Sequence, residues 1–369
     1  MHSSLPFFIL AVCGAVTAAA SAHVPSDPPP RWWKGNLHTH TFWSDGNAFP
    51  EMAVDWYVRN GYHFLSLTDH NILSRGTKWI DESAIARRAG RADALDEYRQ
   101  RFGRSWVETR KRADGGLEVR LKPLNEYRAL FESPGRFLLI EGEEITDGAD
   151  NGKSIHMNAL NLAEYIDPPG GPTVRDVIRR ALDRARKQSG RTGRPILFQV
   201  NHLNYRWGVT AEDLASIVDT RFFEIWNGVD GDNDPGDATH PSTDEIWDIA
   251  NTLRLAAMRA APLYGIATDD THEYHGFKTR AVPGRAWVRV RATHLTPESL
   301  IRAMNRGDFY ASTGVVLKHV THIPGDRLSI GIEAAPGVRY TTDFIGTRRG
   351  VNLEGRPRRN EAGEIVETS

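Results

Sequence analysis

Between Asn36 and Gly46 the chain reads Asn-Leu-His-Thr-His-Thr-Phe-Trp-Ser-Asp-Gly, placing His38 and His40 two residues apart and Asp45 shortly after them. Residues i and i+2 of an extended strand project to the same side. Two imidazoles and a carboxylate can therefore face one point, which is a ligand spacing for a divalent ion. The same chemistry recurs farther along. His70 closes the apolar run that starts at His63, Glu144 closes the run from Phe137, and His202 closes the run from Ile196. Asp270 and His272 follow the run from Leu263 as a second i, i+2 pair, and His156 stands in Ser-Ile-His-Met-Asn, soon after Glu144.

These nine residues, His38, His40, Asp45, His70, Glu144, His156, His202, Asp270 and His272, exceed what one zinc ion with an open position takes up. They suit two or three clustered ions, with a carboxylate such as Glu144 shared between two of them. Cys13 is the only cysteine. It lies in an apolar N-terminal stretch, so no thiolate is expected in the mature chain and the ligands must be nitrogen and oxygen.

The elements that must position these groups alternate. Short apolar runs at 63–70, 137–144, 196–202, 222–228 and 263–270 have strand length. Helical periodicity covers Pro50 to Asn60, with Gly61 as a stop, and Thr173 to Gln188, with Thr173 as N-cap and Gly190 beyond. Thr210 opens a capping-box pattern, and Thr296-Pro-Glu-Ser opens another helix. Alternating strands and helices predict a parallel α/β fold, and its active site belongs at the C-terminal ends of the strands, where the polar clusters fall.

Lys+Arg number 46 against 47 Asp+Glu. This balance offers no electrostatic footprint for a nucleic-acid duplex or an anionic membrane. The apolar run from Leu5 to Ala20, followed by Ala20-Ser21-Ala22, predicts a signal peptide over 1–22 and an exported, periplasmic or extracellular protein. The run is too short for stable membrane insertion. Residues 23–31 form a Pro-rich linker.

His38-Thr-His40 with Asp45, Thr68-Asp-His70-Asn, Glu141-Gly-Glu-Glu144-Ile-Thr, Asn201-His202 and Asp269-Asp270-Thr-His272 together resemble the motifs, in order, of the polymerase and histidinol phosphatase (PHP) metallohydrolases. Asn201 to Trp207 and Phe223 to Gly228 look more particularly like an exported branch near the CehA/McbA carbaryl hydrolases. Leu203 departs from the family, in which proline usually follows Asn-His. The resemblance implies a distorted (β/α)7 TIM-like barrel over 32–314, in which the insert at 74–136 is longer than a minimal member requires. From the sequence pattern alone, the strand-rich stretch over 315–369 reads as a small C-terminal β appendage packed on the main domain, followed by a tail. The resemblance also implies three divalent ions, Mn, Zn or Fe. His38, His40, Glu144 and Asp270 would hold one, Glu144, His156 and His202 a second, and Asp45, His70 and His272 the third.

The implied activity is hydrolysis, foremost of small organic phosphates or nucleotides. A carbamate, ester or amide substrate and a non-catalytic exported metal-binding module are the alternatives. An amidohydrolase barrel, which also opens with His-x-His, is less well matched by Glu144 and the paired Asp-x-His. Asp69 and Asp269, each beside a ligand, are candidates for orienting it, with a plain structural capping role as the alternative for both. Arg206 is the leading candidate for gripping a phosphate, followed by Lys153, Arg280 and Arg285. Tyr205, Trp207, Trp226 and Tyr274 are candidates for an aromatic wall, and Glu224 and Asn227 for pocket hydrogen bonding. The 74–136 insert is read as folded against the barrel, either as a solvated face or as a substrate lid.

Overall fold

The computed structural model describes residues 28–275, 281–354 and 359–365. The expected signal segment 1–22, most of the expected linker and Arg280 lie outside the described residues. In chain order the elements are β1 (Arg31–Asn36), α1 (Pro50–Arg59), β2 (Phe64–Leu67), β3 (Lys78–Asp81), α2 (Glu82–Ala89), α3 (Ala94–Phe102), β4 (Thr109–Lys111) and β5 (Leu117–Leu121). They continue with α4 (Leu124–Phe131), β6 (Leu138–Gly148), β7 (Ser154–Leu160), α5 (Val174–Thr192), β8 (Leu197–Val200), α6 (Ala211–Ser216), β9 (Phe222–Asn227) and α7 (Thr243–Thr252). The last are β10 (Tyr264–Thr268), β11 (Trp287–Ala292), α8 (Pro297–Asn305), β12 (Phe309–Ser312), β13 (Leu317–Ile323) and β14 (Arg327–Ile332).

Nine strands form one sheet in the order β10-β9-β8-β7-β6-β2-β1-β11-β12. Its two edges come back together: the Tyr264 ring of β10 meets Phe309 of β12 edge-on at 5.8 Å, with Phe222 of β9 beside both. The result is an α/β fold with a nearly closed, barrel-like sheet. One hydrophobic cluster draws Trp33, Phe64, Ile140, Leu160, Leu197, Phe222, Ile266 and Val288 from eight of the strands, together with Leu300, Ile301 and Met304 of α8. Each such buried aliphatic or aromatic side chain contributes about 1.5–3 kcal/mol.

The sheet is mixed rather than parallel throughout. β1, β2 and β6 run parallel, as do β8, β9 and β10, but β7 runs antiparallel to both its neighbours, and β11 runs antiparallel to β1 and β12. Only a short loop joins β6 to β7, and a connection of that length makes a hairpin rather than a crossover.

The helices form where their patterns place them. Thr173 caps α5 by accepting the Asp176 amide at 3.2 Å, and Val177, Ile178, Ala181, Leu182 and Ala185 are buried along one face. The helix runs through Gly190, however, and stops at Gly193, which takes φ +71°. A single helical glycine costs only about 1 kcal/mol, so the end is set by the residue that must turn left-handed. Thr210 and Thr296 cap α6 and α8 as expected. None of the helices among the described residues is long and apolar enough to cross a membrane.

The insert is a folded unit, with a three-stranded sheet β3-β5-β4 and helices α2 to α4. Its Ile80, Ile85, Leu95, Tyr98, Val119 and Leu121 share a core with Phe42, Trp43 and Phe49 of the loop that follows His40. Beyond residue 315 the β13–β14 hairpin departs from the expected packed appendage. Val320, Ile323 and Leu328 are exposed, and ties to the main sheet include the Leu317 amide on the Tyr310 hydroxyl at 3.0 Å.

Candidate metal centre

Backbone hydrogen bonds knit the strand ends into a ring before any side chain is considered. The His40 amide donates to Thr271, the Thr68 amide to Thr39, the Asn71 amide to Glu144 and the Asn201 amide to His156, all at 2.8–2.9 Å. Thr146 pairs with His156 across the β6–β7 ladder. Because β7 runs the other way, its beginning lies at the same end of the sheet as the endings of its neighbours, and this brings His156 to the site. Glycine is required in the first turn, since a Cβ on Gly46 would stand 2.5 Å from the His40 carbonyl carbon. Two ligand positions adopt positive φ, His202 at 20° and Asp270 at 47°, a strained conformation that surrounding structure must hold in place. Leu203, which departs from the motif the sequence resembles, is fully buried and leaves the turn closed, with the Tyr205 amide on the His202 carbonyl at 2.8 Å.

All nine side chains converge. His38 Nε2 lies 3.3 Å from Glu144 and 3.2 Å from Asp270, and His40 Nε2 lies 3.3 Å and 3.0 Å from the same two carboxylates. Glu144 also meets His70 at 2.8 Å, His156 at 3.1 Å and His202 at 3.3 Å. Asp45 lies 3.4 Å from both His70 and His272. Ligand-distance groups form at His40, Asp45, His70 and His272, at His38, His40 and Asp270, and at His70, Glu144 and His156. The grouping differs from the implied one in detail, because His40 and His70 each serve two groups.

The donor chemistry fits cations. Glu144 Oε2 and Asp270 Oδ1 are buried and accept no hydrogen bond from any described residue, although ring nitrogens surround them. His38 Nε2 and His40 Nε2 face each other at 3.2 Å, so a proton or a cation must lie between them. Imidazole nitrogen with carboxylate oxygen is a donor set for Mn, Fe or Zn.

Charge points the same way. Burial pushes His38 down, but Asp270, Glu144 and Glu224 outweigh it and hold the imidazole well above its usual value. Against the same burial, carboxylate neighbours raise His70 to about 11 and His202 and His272 to about 9. Burial likewise opposes ionisation of Asp45, Glu144 and Asp270, yet the histidines hold all three below the carboxylate range. His156 alone moves down, by burial and the neighbouring His202 and His70, against the pull of Glu144. Charge on carboxylates as buried as Glu144 and Asp270 must be balanced by protons on imidazoles or by cations that displace them.

Two expected catalytic residues do something else. Asp69 does not orient His70. Its carboxylate accepts the Thr41 and Ser44 amides at 2.8 and 2.9 Å and both their hydroxyls, so it fixes the turn that carries Asp45. Asp269 accepts Tyr57 Oη at 2.8 Å and the amides of Gly284, Arg285 and Ala286, which pins the entry to β11. Successive residues of an extended chain face opposite sides, so the neighbour of an inward ligand points away.

Arg206 is exposed, its guanidinium 5.3 Å over the Tyr205 ring, which packs edge-on to His202 at 5.2 Å. Lys153 instead donates to the Trp207 carbonyl at 2.8 Å, and Arg285 pairs with Asp230 at 2.6 Å. Trp207 stacks on His240 at 3.8 Å, Tyr274 joins the core beside α1, and Trp226 is exposed. Glu224 accepts from His38 Nδ1 at 2.8 Å and from the His202 amide at 2.9 Å, fixing the orientation of a ligand ring. Asn227 bridges Glu224 and Asp270 at 3.0 and 3.2 Å.

One residue escaped the sequence reading. Asp232, in the loop after β9, forms a fourth ligand-distance group with His202 and Asp270. Burial raises it to about 7, with His202 opposing and Asp270 adding to the rise. The signal available was the i, i+2 spacing of Asp230, Asp232 and Asp234 just past a strand end.

No protein-family model matches the sequence, and no curated protein does. Among solved structures the chain is similar to a two-domain protein of Bacteroides vulgatus containing a predicted PHP-like metal-dependent phosphoesterase, at 18% identity and TM-score 0.41 over 82% of this chain and 75% of that one. It is also similar to PsfC from Pseudomonas syringae, at 11% identity and TM-score 0.37 over 74% and 88% of the two chains. A Bifidobacterium adolescentis protein described as a candidate metal-dependent phosphoesterase is similar at 15% identity and TM-score 0.33 over 69% and 94%.

Proposed function

We propose that this chain is a PHP-type metal-dependent hydrolase whose substrates are small organic phosphates. The observation that carries the proposal is the pair of buried carboxylate oxygens, Glu144 Oε2 and Asp270 Oδ1, that accept no hydrogen bond among the described residues yet stand within 3.3 Å of imidazole nitrogens. In this reading His38, His40, Asp45, His70, Glu144, His156, His202, Asp270 and His272 hold three divalent ions, of which Mn, Zn and Fe fit the donors. Ions there would acidify water and neutralise charge gathering on phosphoryl oxygens.

The remaining work belongs to the chain itself. Glu224 orients His38 and, through its amide, His202. Asp69 holds the Thr41–Ser44 turn so that Asp45 keeps its reach to His70 and His272. Arg206, on its Tyr205 platform, offers a planar fork to a phosphate oxygen. The Tyr205 ring would border a substrate's organic part.

The test uses protein stripped with a chelator and reloaded with Mn²⁺, Zn²⁺ or Fe²⁺. It is assayed on p-nitrophenyl phosphate, bis(p-nitrophenyl) phosphate and an aryl carbamate. Metal-dependent phosphoester turnover is the expected result. Turnover of the carbamate alone would move the substrate class, and none at all after verified loading would contradict the assignment.

A further inference from the structure

We infer that Asp232 is a metal ligand, forming with His202 and Asp270 a further cation position at the edge of the centre. The inference rests on the reading of the nine-residue cluster as a metal centre and extends it to a loop that no motif marked.

Three observations support it. One ligand atom from each of His202, Asp232 and Asp270 lies within 4.8 Å of the other two, and all three residues are buried. Asp232 is 5% exposed, and its Oδ2 accepts no hydrogen bond from any described residue. A buried carboxylate oxygen without a donor is costly, and an adjacent cation removes that cost.

The loop is also built to keep the carboxylate where it is. The Asn227 amide donates to Asp234 Oδ2 at 2.6 Å and the Thr243 amide to the Asp234 carbonyl at 2.9 Å. Asn204 Nδ2 donates to the Asn233 carbonyl at 3.0 Å, and Asn233 Nδ2 returns a bond to the Asn204 carbonyl at 3.3 Å. Asn204 follows His202 by two residues, so one reciprocal pair ties the loop to the ligand it would assist. Asn233 accepts φ 58° to make the turn, a conformation asparagine tolerates better than most residues.

The position would share Asp270 with His38 and His40, and His202 with Glu144. A second carboxylate there adds negative charge where two ions would otherwise compete for the same oxygens. Imidazole nitrogen with two carboxylates suits Mn, Fe or Zn.

The full chain and its Asp232→Asn variant are stripped with chelator and reloaded with Mn²⁺ alone. They are compared by metal content, by affinity in chelator competition and by the Mn²⁺-induced rise in Tm. The variant is expected to hold one ion at least about tenfold more weakly and to show a smaller rise. Its Tm in chelator should match or exceed that of the parent, because a buried negative charge has gone. Equal content, affinity and rise would overturn the inference while leaving the metal centre standing. A parent chain that takes up no Mn²⁺ would overturn both. Should the variant not fold, anomalous diffraction from Mn²⁺-soaked crystals of the parent decides. A Mn peak at bonding distance from Asp232 supports the inference, and a Mn-filled centre with none there overturns it.

Discussion

The two ends of the proposed centre are held in different ways. At the deep end His38, Glu144 and Asp270 are buried on strands or just beyond their ends, and their positions follow from ladder register. At the rim the Asp45 side chain is 57% exposed on a turn, and nothing in the barrel ladder fixes it. That turn is held by Asp69 from the strand side and by the 74–136 insert from the other. Arg88 donates to the Ser44 carbonyl at 2.7 Å and also caps the Gly46 carbonyl, Lys78 caps that of Trp43, and Trp43 Nε1 donates to the Lys122 carbonyl at 3.1 Å. Strand register places the deep ligands, whereas tertiary bracing by a separate folded unit places the outer one. The insert, on this comparison, is a buttress for a ligand turn.

Removing a deep ligand should have the largest effect. Asp270→Ala and His202→Ala are expected to bring hydrolysis to background and to strip bound metal, with far-UV circular dichroism unchanged; normal turnover in either variant would contradict the deep assignment. At the rim, Asp45→Asn should lower kcat about 10–100-fold and release only the ion shared with His70 and His272, as read by metal content. Full metal loss in D45N would erase the distinction between the two ends.

Bracing should matter less. Arg88→Ala, which removes a charged donor to backbone carbonyls, is expected to cost about 1.5–3 kcal/mol of stability by chemical denaturation. In a double-mutant cycle with D45N, its effect on rim metal affinity should be strongly non-additive. Additive effects would mean that the insert does not act through the turn.

The smallest effect is one of pH. His70, His202 and His272 are raised in the fold to about 11, 9 and 9, against about 6.5 when unfolded. In chelator their pairing with carboxylates is therefore fully present below about pH 6.5. It is lost as pH climbs through 9 towards 11, so Tm should drop by a few degrees over that interval. Metal affinity should run the other way, rising as the imidazoles shed protons. A flat Tm profile in chelator would show that these pairs contribute nothing.

Much of the deep end was legible because period-2 alternation and polar strand endings are local features. The 63–70, 196–202 and 263–270 runs each end in a residue that the structure brings to the common centre. Strand direction was less accessible. The reversal of β7 follows from the length of a loop and its pairing partners, and no residue type in Ser154–Leu160 announces it. For Asp69 and Asp269 adjacency in sequence left orienting and capping roles open, and capping holds because alternation sends neighbours to opposite faces. Asp232 was hidden in a Val-Asp-Gly-Asp-Asn-Asp-Pro stretch that reads as an ordinary turn. Arg88 and Lys78 were hidden for another reason: a charged insert looks solvated until its tertiary partners, here backbone carbonyls, are known.

Metal stoichiometry of the reloaded full chain, measured by plasma mass spectrometry after gel filtration, tests the central claim most directly. The account predicts more than one tightly held divalent ion per chain, with part of that content lost in Asp45→Asn and nearly all of it in Asp270→Ala. A chain that emerges metal-free, or whose metal content is indifferent to both substitutions, would contradict it.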